Sequence, residues 1–144
     1  MRSENYNEGQ SMTRAKIMVV DDDPDLRQAL SVRLRANHFE TLTVCDGYSA
    51  IAMAQQEHPH LIILDLGLPA GDGFTVLKNL QQYPALAGIP VIVLTARDPD
   101  AFEKRTLESG AMAFFQKPAD NEELLAVIRA SLQKGWGWGG ALPS

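Results

Sequence analysis

The chain has 144 residues, a length that suits one domain and leaves little room for a second. Hydrophobic residues make up 45% and charged residues 22%, the balance of a globular rather than a disordered protein. The net charge of −5 and the lack of a basic run argue against direct nucleic-acid binding, which depends on clustered cations. No apolar run approaches the roughly 20 residues of a membrane span, and the first residues lack the apolar centre of a signal peptide. We therefore expect a cytoplasmic domain without membrane contact.

The two ends of the chain differ in composition from the middle. Residues 1–13 are polar, and we expect a disordered lead-in. Residues 135–144 hold four of the eleven glycines, and we expect a flexible tail. Trp136 and Trp138 in that tail either pack loosely on the domain or anchor a partner. The folded domain is thus predicted to span 14–134.

Short apolar segments alternate along the chain with segments of helical periodicity. The segments that are apolar at every position predict strands covered on both faces, whereas the mixed second segment predicts an edge strand. The predicted strands are Lys16–Val20, Thr41–Cys45, Leu61–Leu64, Val91–Thr95 and Ala113–Phe115.

The helical segments carry capping signals. Asp23 before Pro24 is typical of a helix start, and Asp120 is predicted to cap the last helix, which Gly135 is predicted to end. The segment 100–109 has the fewest apolar anchors. Five strand–helix units predict an α/β fold, a (βα)5 doubly wound parallel sheet with helices on both faces.

Charged and hydroxyl side chains follow four of the predicted strands. Ligands of such sheets bind beyond the carboxyl ends of the strands, where Asp21, Asp22, Asp65, Thr95 and Lys117 stand. Three carboxylates together repel one another, and a hard divalent cation with oxygen ligands resolves the conflict: magnesium, calcium or manganese rather than zinc. The acidic loop after the first strand disfavours phosphate there, so a phosphoryl group is expected between the metal, the lysine and the threonine.

Five motifs occur in an order and spacing that resemble the receiver domain of bacterial response regulators, the phosphoacceptors of two-component signalling. The resemblance covers about residues 15–134 and implies a flavodoxin-like, five-stranded parallel sheet in the order 2-1-3-4-5. Its motifs are VVDD at 19–22, LIILDLGLP at 61–69, GDGF at 71–74, VLTA at 93–96 and FQKP at 115–118.

The resemblance implies a role for each matching acidic residue. Asp65 matches the phosphoacceptor, which takes a phosphoryl group from a histidine kinase or a histidine phosphotransferase. Asp22 matches a direct ligand of Mg²⁺ and Asp21 a ligand acting through water, while the backbone carbonyl of Gly67 supplies a further oxygen.

It also implies which residues bind the phosphoryl group and respond to it. Lys117 matches the lysine that pairs with the phosphoryl oxygens, and Thr95, followed by Ala96, matches the hydroxyl that moves towards them. Phe114 stands at the position of the switch aromatic, although a plain core phenylalanine is the other interpretation. A protein target is then expected on the surface formed by residues 100–134.

Three features depart from the family pattern. Gly67, two residues after the acceptor, leaves one approach to the phosphoryl group open, and Arg97 is expected to lie over that opening. Phe114 lacks the hydroxyl of the tyrosine often found there.

The single cysteine, Cys45, rules out an internal disulfide, and we expect it to be an inert core thiol.

Two competing functions require residues that differ from those in this chain. A phosphohydrolase of the haloacid-dehalogenase type needs an aspartate where this chain has Gly67, and a module that is not phosphorylated is expected to lack Asp22, Asp65 or Lys117. We therefore expect a stand-alone receiver, similar to chemotaxis regulators, that signals by protein contacts and is not a turnover enzyme. The alternative is a receiver fragment of a longer regulator with a DNA-binding or enzymatic output domain.

Overall fold

The computed structural model of the chain describes residues 14–68 and 72–139, with side chains up to residue 133. Strands and helices alternate strictly through these ranges, as the sequence pattern predicts. The elements are β1 Lys16–Val20, α1 Pro24–Ala36, β2 Glu40–Val44, α2 Gly47–Glu57, β3 Leu61–Leu64, α3 Gly73–Gln82, β4 Val91–Thr95, α4 Pro99–Glu108, β5 Ala113–Gln116 and α5 Asn121–Gly139.

The five strands form one parallel sheet in the order β2-β1-β3-β4-β5, which confirms the predicted topology. Because all strands run the same way, their carboxyl ends meet at one edge. The register aligns Val20 with Leu64 and Leu64 with Val93, so that β1 and β3 end at the same level and β4 continues for two further residues. The backbone N–H of Asp65 donates to the Val20 carbonyl at 3.0 Å, which extends the ladder into the loops.

The core consists of two layers, one on each face of the sheet. Alternate β1 residues enter opposite layers, because strand side chains point to alternate faces. Ile17 and Val19 pack with α1 and α5, whereas Met18 and Val20 pack with α2 and α3. Every residue of β3 and β4 is buried, as predicted from their fully apolar sequences.

Helix α4 differs from the other helices in how little it buries. Thr106 is its only buried residue, and Phe102 packs partly buried against the layer of α2 and α3. The hydroxyl of Thr106 donates to the carbonyl of Phe102 at 2.7 Å. The small apolar face expected for this segment is therefore confirmed.

Two predicted helix starts are confirmed and one predicted helix end is wrong. The side chain of Asp23 accepts from the N–H groups of Asp25 and Leu26, and Asp120 accepts from Glu123 at 3.0 Å. The backbone of α5 continues past Gly135 to Gly139, so this glycine does not end the helix. A glycine inside a helix costs about 1 kcal/mol relative to alanine but does not forbid the hydrogen bonds.

Smaller differences concern strand ends and Cys45. β2 begins and ends one residue earlier than predicted, and β5 extends to Gln116. Cys45 therefore follows β2 and is exposed, so the prediction of a core thiol is wrong.

Residues 1–13 and 140–144 lie outside the described residues, and the predicted domain limits stay predictions. Among the helices that the structure does describe, none is long and apolar enough to span a membrane.

Candidate functional site

Three carboxylates meet at the edge of the sheet where the strands end. Asp21 and Asp22 follow β1 and Asp65 follows β3, and one oxygen of each lies within 4.8 Å of the others. Asp21 is 2% and Asp65 7% exposed, while Asp22 faces solvent. This set contains only hard oxygen donors and lies at an accessible rim, so it fits a small divalent cation such as Mg²⁺.

The ammonium group of Lys117 lies between the two buried carboxylates. Its Nζ is 2.8 Å from Oδ2 of Asp21 and 3.3 Å from Oδ2 of Asp65. The backbone of Lys117 is fixed in turn, because its N–H donates to the carbonyl of Thr95 at 2.8 Å. The peptide bond from Lys117 to Pro118 is cis. The lysine thus joins the ends of β1, β3, β4 and β5 in one polar cluster.

Burial and pairing shift two pKa values in this cluster. Burial raises the pKa of Asp21 above its ordinary value of 3.8, and hydrogen bonds from Lys117 and from the N–H of Asp23 offset only part of that effect. For Lys117, burial favours the neutral amine, but the hydrogen bond to Asp21 and the charge of Asp65 outweigh it, so its pKa is raised above 10.5. Lys117 is therefore a cation at neutral pH.

Backbone groups hold both buried carboxylates in place. Oδ1 of Asp65 accepts from the N–H of Gly67 at 3.1 Å, and Oδ1 of Asp21 accepts from the N–H of Asp23 at 2.9 Å. Arg27 donates from Nη1 to the backbone carbonyl of Asp21 at 2.7 Å, a contact that nothing in the sequence indicated. The carboxylates are thus oriented before any ligand binds.

The remaining predicted residues lie on β4 and β5 or directly after β4. Thr95 is 1% exposed at the end of β4, and its Oγ1 accepts a long hydrogen bond of 3.4 Å from the N–H of Arg97. Ala96 is exposed at the same edge. Phe114 is partly buried and packs on the core layer of α2 and α3. Thr95 and Ala96 therefore stand at the predicted end of β4, and the roles of these two residues and of Phe114 stay predictions.

The opening left by Gly67 is bordered by Asp65 and Arg97. A Cβ at Gly67 meets both carboxylate oxygens of Asp65 at 3.9 Å and Nη2 of Arg97 at 4.0 Å. These are ordinary contact distances, so the Arg97 guanidinium and the Asp65 carboxylate both border the space that a side chain at position 67 would occupy. The prediction that Arg97 lies over this opening is confirmed.

Gly73 is a site residue to which the sequence analysis gave no role. A Cβ at this position lies 2.5 Å from Cα of Leu66 and 2.6 Å from the carbonyl oxygen of Asp65. Its N–H donates to the Leu66 carbonyl at 3.1 Å. The absence of a side chain therefore lets α3 begin directly against the backbone that carries Asp65. The glycine after the capping residue Asp72 was the available signal.

Comparisons with known proteins agree with this geometry. The model of the response regulator receiver domain matches residues 17–129, and the chain belongs to that family of two-component systems. It is 40% identical over 116 residues to the response regulator PleD of Caulobacter vibrioides, which covers 81% of this chain and 26% of PleD. It is 39% identical over 119 residues to RpaA of Synechocystis, a DNA-binding dual master transcriptional regulator, with 83% of this chain and 49% of RpaA covered.

A solved structure supports the fold. The receiver domain of the sensor histidine kinase PA1611 from Pseudomonas aeruginosa superposes with a TM-score of 0.77 at 23% identity, covering 84% of this chain and 99% of that one. In that structure a magnesium ion is coordinated in the active site cleft. The chain spans at most about half the length of the two curated relatives compared above.

Two glycine substitutions test the close packing beside Asp65. Gly73→Ala is expected to lower the free energy of unfolding by about 1–3 kcal/mol, the usual cost of overpacking against atoms that cannot move aside. Gly67→Ala makes the same chemical change where the added methyl has room, and we expect little loss. Urea unfolding of both variants measures the difference, and equal stability of the two contradicts the geometry.

The raised pKa of Asp21 predicts a pH-dependent effect of Asp21→Asn on stability in metal-free buffer. The folded chain binds this proton more tightly than the unfolded chain, so ionised Asp21 opposes folding increasingly as pH rises from 3.8 through the raised pKa. At pH 7 the variant is expected to be more stable by about 0.5–2 kcal/mol, the usual scale for relieving one unfavourable charge. The advantage disappears below pH 3.8.

Thermal unfolding across this pH range, with Glu103→Gln as the control, measures the effect. Glu103 is an exposed carboxylate of α4, and its neutralisation is expected to change stability little. A destabilised Asp21→Asn at neutral pH contradicts the interpretation, because it means that the pairing with Lys117 outweighs the cost of burial.

Proposed function

We propose that this chain accepts a phosphoryl group on Asp65 from a phosphohistidine of a histidine kinase or a histidine phosphotransferase. Oδ of Asp65 attacks phosphorus, the P–N bond breaks, and the imidazole leaves as the acyl phosphate forms. The observation that carries this proposal is the cluster itself, in which Asp65 lies beside two further carboxylates and 3.3 Å from the ammonium of Lys117. Membership of the receiver family supports the same chemistry.

The acidic cluster is the proposed Mg²⁺ site. Asp22 and Asp65 are assigned as direct ligands, Asp21 as a ligand through water, and the backbone carbonyl of Gly67 as a further oxygen. When bound, the cation offsets the charge of the carboxylates and of the incoming phosphoryl oxygens. The magnesium ion in the PA1611 receiver supports this choice of metal.

Lys117 and Thr95 are assigned to the phosphoryl group. The ammonium of Lys117 already contacts Asp65, so it is placed to pair with an oxygen added there. The hydroxyl of Thr95 makes only a 3.4 Å hydrogen bond at present, which leaves it free to turn towards the new acceptor. Ala96 lies next to it at the exposed rim. Movement of Thr95 makes room that Phe114 can fill, which is the proposed switch.

The output is proposed to be a protein contact on the surface formed by residues 100–134, made in the cytoplasm, without direct nucleic-acid contact or turnover catalysis by this domain. A second possibility is favoured by the coverage of the relatives, since the matches span only 26% of PleD and 49% of RpaA. In that case the domain controls an attached DNA-binding or enzymatic output domain.

Phosphorylation of Asp65 is tested by intact-mass spectrometry after incubation with acetyl phosphate and Mg²⁺. We expect one added phosphoryl group in the wild type and none in Asp65→Asn, because the amide oxygen is a poor nucleophile. Omission of Mg²⁺ or the substitution Asp22→Ala is expected to reduce labelling strongly. Asp23→Asn is the control, since asparagine keeps the helix cap while one neighbouring carboxylate is lost. Unchanged labelling of Asp65→Asn overturns the assignment.

The switch is tested by amide chemical shifts with and without beryllofluoride, a mimic of the phosphoryl group. Phe114 has no hydroxyl to desolvate, so we expect its inward conformation to be partly populated beforehand and to gain population on binding. Shifts are then expected at Phe114 and across residues 100–109, beyond the acidic cluster. Shifts confined to the acidic cluster contradict the switch.

A further inference from the structure

A column of two stacked aromatic rings, with a guanidinium group at each end, leads away from Asp65. The guanidinium carbon of Arg97 lies 5.0 Å from the ring centre of Phe102. The Phe102 ring stacks on that of Phe74, with centres 6.2 Å apart and planes at 29°. The guanidinium carbon of Arg105 covers Phe74 at 3.7 Å. Together these four residues, here called the arginine–aromatic column, connect the rim of the acceptor pocket with α3 and α4.

The acceptor end of this column is open for an anion. Nη2 of Arg97 lies 4.0 Å from the Cβ position at Gly67, which itself lies 3.9 Å from both oxygens of Asp65. Within the part of the chain that the structure describes, no carboxylate lies within 4.0 Å of Arg97. The N–H donors of a guanidinium group point outward in its plane. An aromatic ring that packs against the flat face of the group therefore leaves the N–H donors at its edges available for oxygen acceptors.

We propose that Phe102, supported by Phe74 and Arg105, positions Arg97 as a second cation for the phosphoryl group on Asp65. This inference rests on the proposed function and adds a regulation of the same site, namely the lifetime of the acyl phosphate. Arg97 contacts the phosphoryl oxygens in this scheme, whereas Phe102, Phe74 and Arg105 act through it and are positioning residues.

The chemistry gives the direction of the effect. During hydrolysis a water oxygen bonds to phosphorus, the bond from phosphorus to the Asp65 oxygen breaks, and the carboxylate is restored as inorganic phosphate leaves. Gly67 provides no side chain to exclude that water. Arg97 covers the same side while its edge pairs with the phosphoryl oxygens, so its loss is expected to speed hydrolysis.

The aromatic support matters because Arg97 stands in a loop and has no ion pair among the described residues to fix its long side chain. Phe102 belongs to α4, the helix that buries least. Its ring packs partly buried on the core layer of α2 and α3 and also contacts Phe74 and Arg97 in the column. Arg105, exposed on the outside of α4, completes the column from the far side.

The test measures decay of the acyl phosphate after labelling with acetyl phosphate and removal of the donor. We expect Arg97→Ala to shorten the lifetime about fivefold, the rate change that corresponds to about 1 kcal/mol. Phe102→Leu keeps an apolar side chain but removes the ring, and it is expected to shorten the lifetime to a smaller extent. Phe102→Tyr restores the ring and is expected to restore the lifetime. Lys104→Ala is the control, because Lys104 is an exposed cation on the same helix and contacts no ring among the residues that the structure describes.

A double variant separates positioning from a general effect on structure. Phe102→Leu is expected to have no further effect when Arg97 is already alanine, because the ring then has nothing to hold. Equal effects of Phe102→Leu in both backgrounds overturn the proposal. Should Phe102→Leu fail to fold, Arg105→Ala takes its place, with the same expected direction and the same comparison of backgrounds.

The outcomes also distinguish this inference from the proposed function. A wild type that takes no label on Asp65 overturns both. A wild type that is labelled, with a lifetime that Arg97→Ala leaves unchanged or lengthens, overturns the role of the column alone and leaves the phosphoacceptor assignment intact.

Discussion

The site depends on one contact, the ammonium of Lys117 between the buried carboxylates of Asp21 and Asp65. Two carboxylates taken out of water beside each other repel, and their burial is costly unless a cation pairs with them. Lys117 lies 96 positions after Asp21 and 52 positions after Asp65 in the sequence, so both pairs are long-range contacts. The parallel sheet brings the ends of β1, β3 and β5 to one edge, and this lets a single lysine make both pairs at once.

Much of the fold follows from local pattern, but the strand order does not. The short apolar runs of β3 and β4 predict buried strands, and the caps at Asp23 and Asp120 act within three residues of chain. Periodicity establishes that the strands are parallel but not which are neighbours, so the order came from family resemblance. The wrong end of α5 at Gly135 has a comparable cause, since a local preference of about 1 kcal/mol does not decide where a long helix stops.

In the candidate site too, some features follow from local sequence and others depend on how distant elements pack together. Asp21, Asp65 and Lys117 were predictable because a strand end is a position in sequence as well as in space. The contact of Arg27 with the carbonyl of Asp21 and the stacking of Phe74 on Phe102 were not, because they join elements whose relative placement is set by packing. Gly73 falls between these cases: its position at the start of α3 could be read from the sequence, but the close approach of the Leu66 backbone could not.

Both proposed routes out of the acceptor pocket reach α4. One runs through Thr95 and Phe114, and the other through Arg97 and Phe102; the two phenylalanines pack on the same core layer. Since α4 buries only Thr106 fully, a change in either ring displaces little apolar contact. A shift of a few kcal/mol between two packings is within reach of one added phosphoryl charge only where so little packing must be broken. The poorly anchored helix is therefore the element on which a signal from Asp65 can act, and the well-packed strands keep the acceptor fixed while it does.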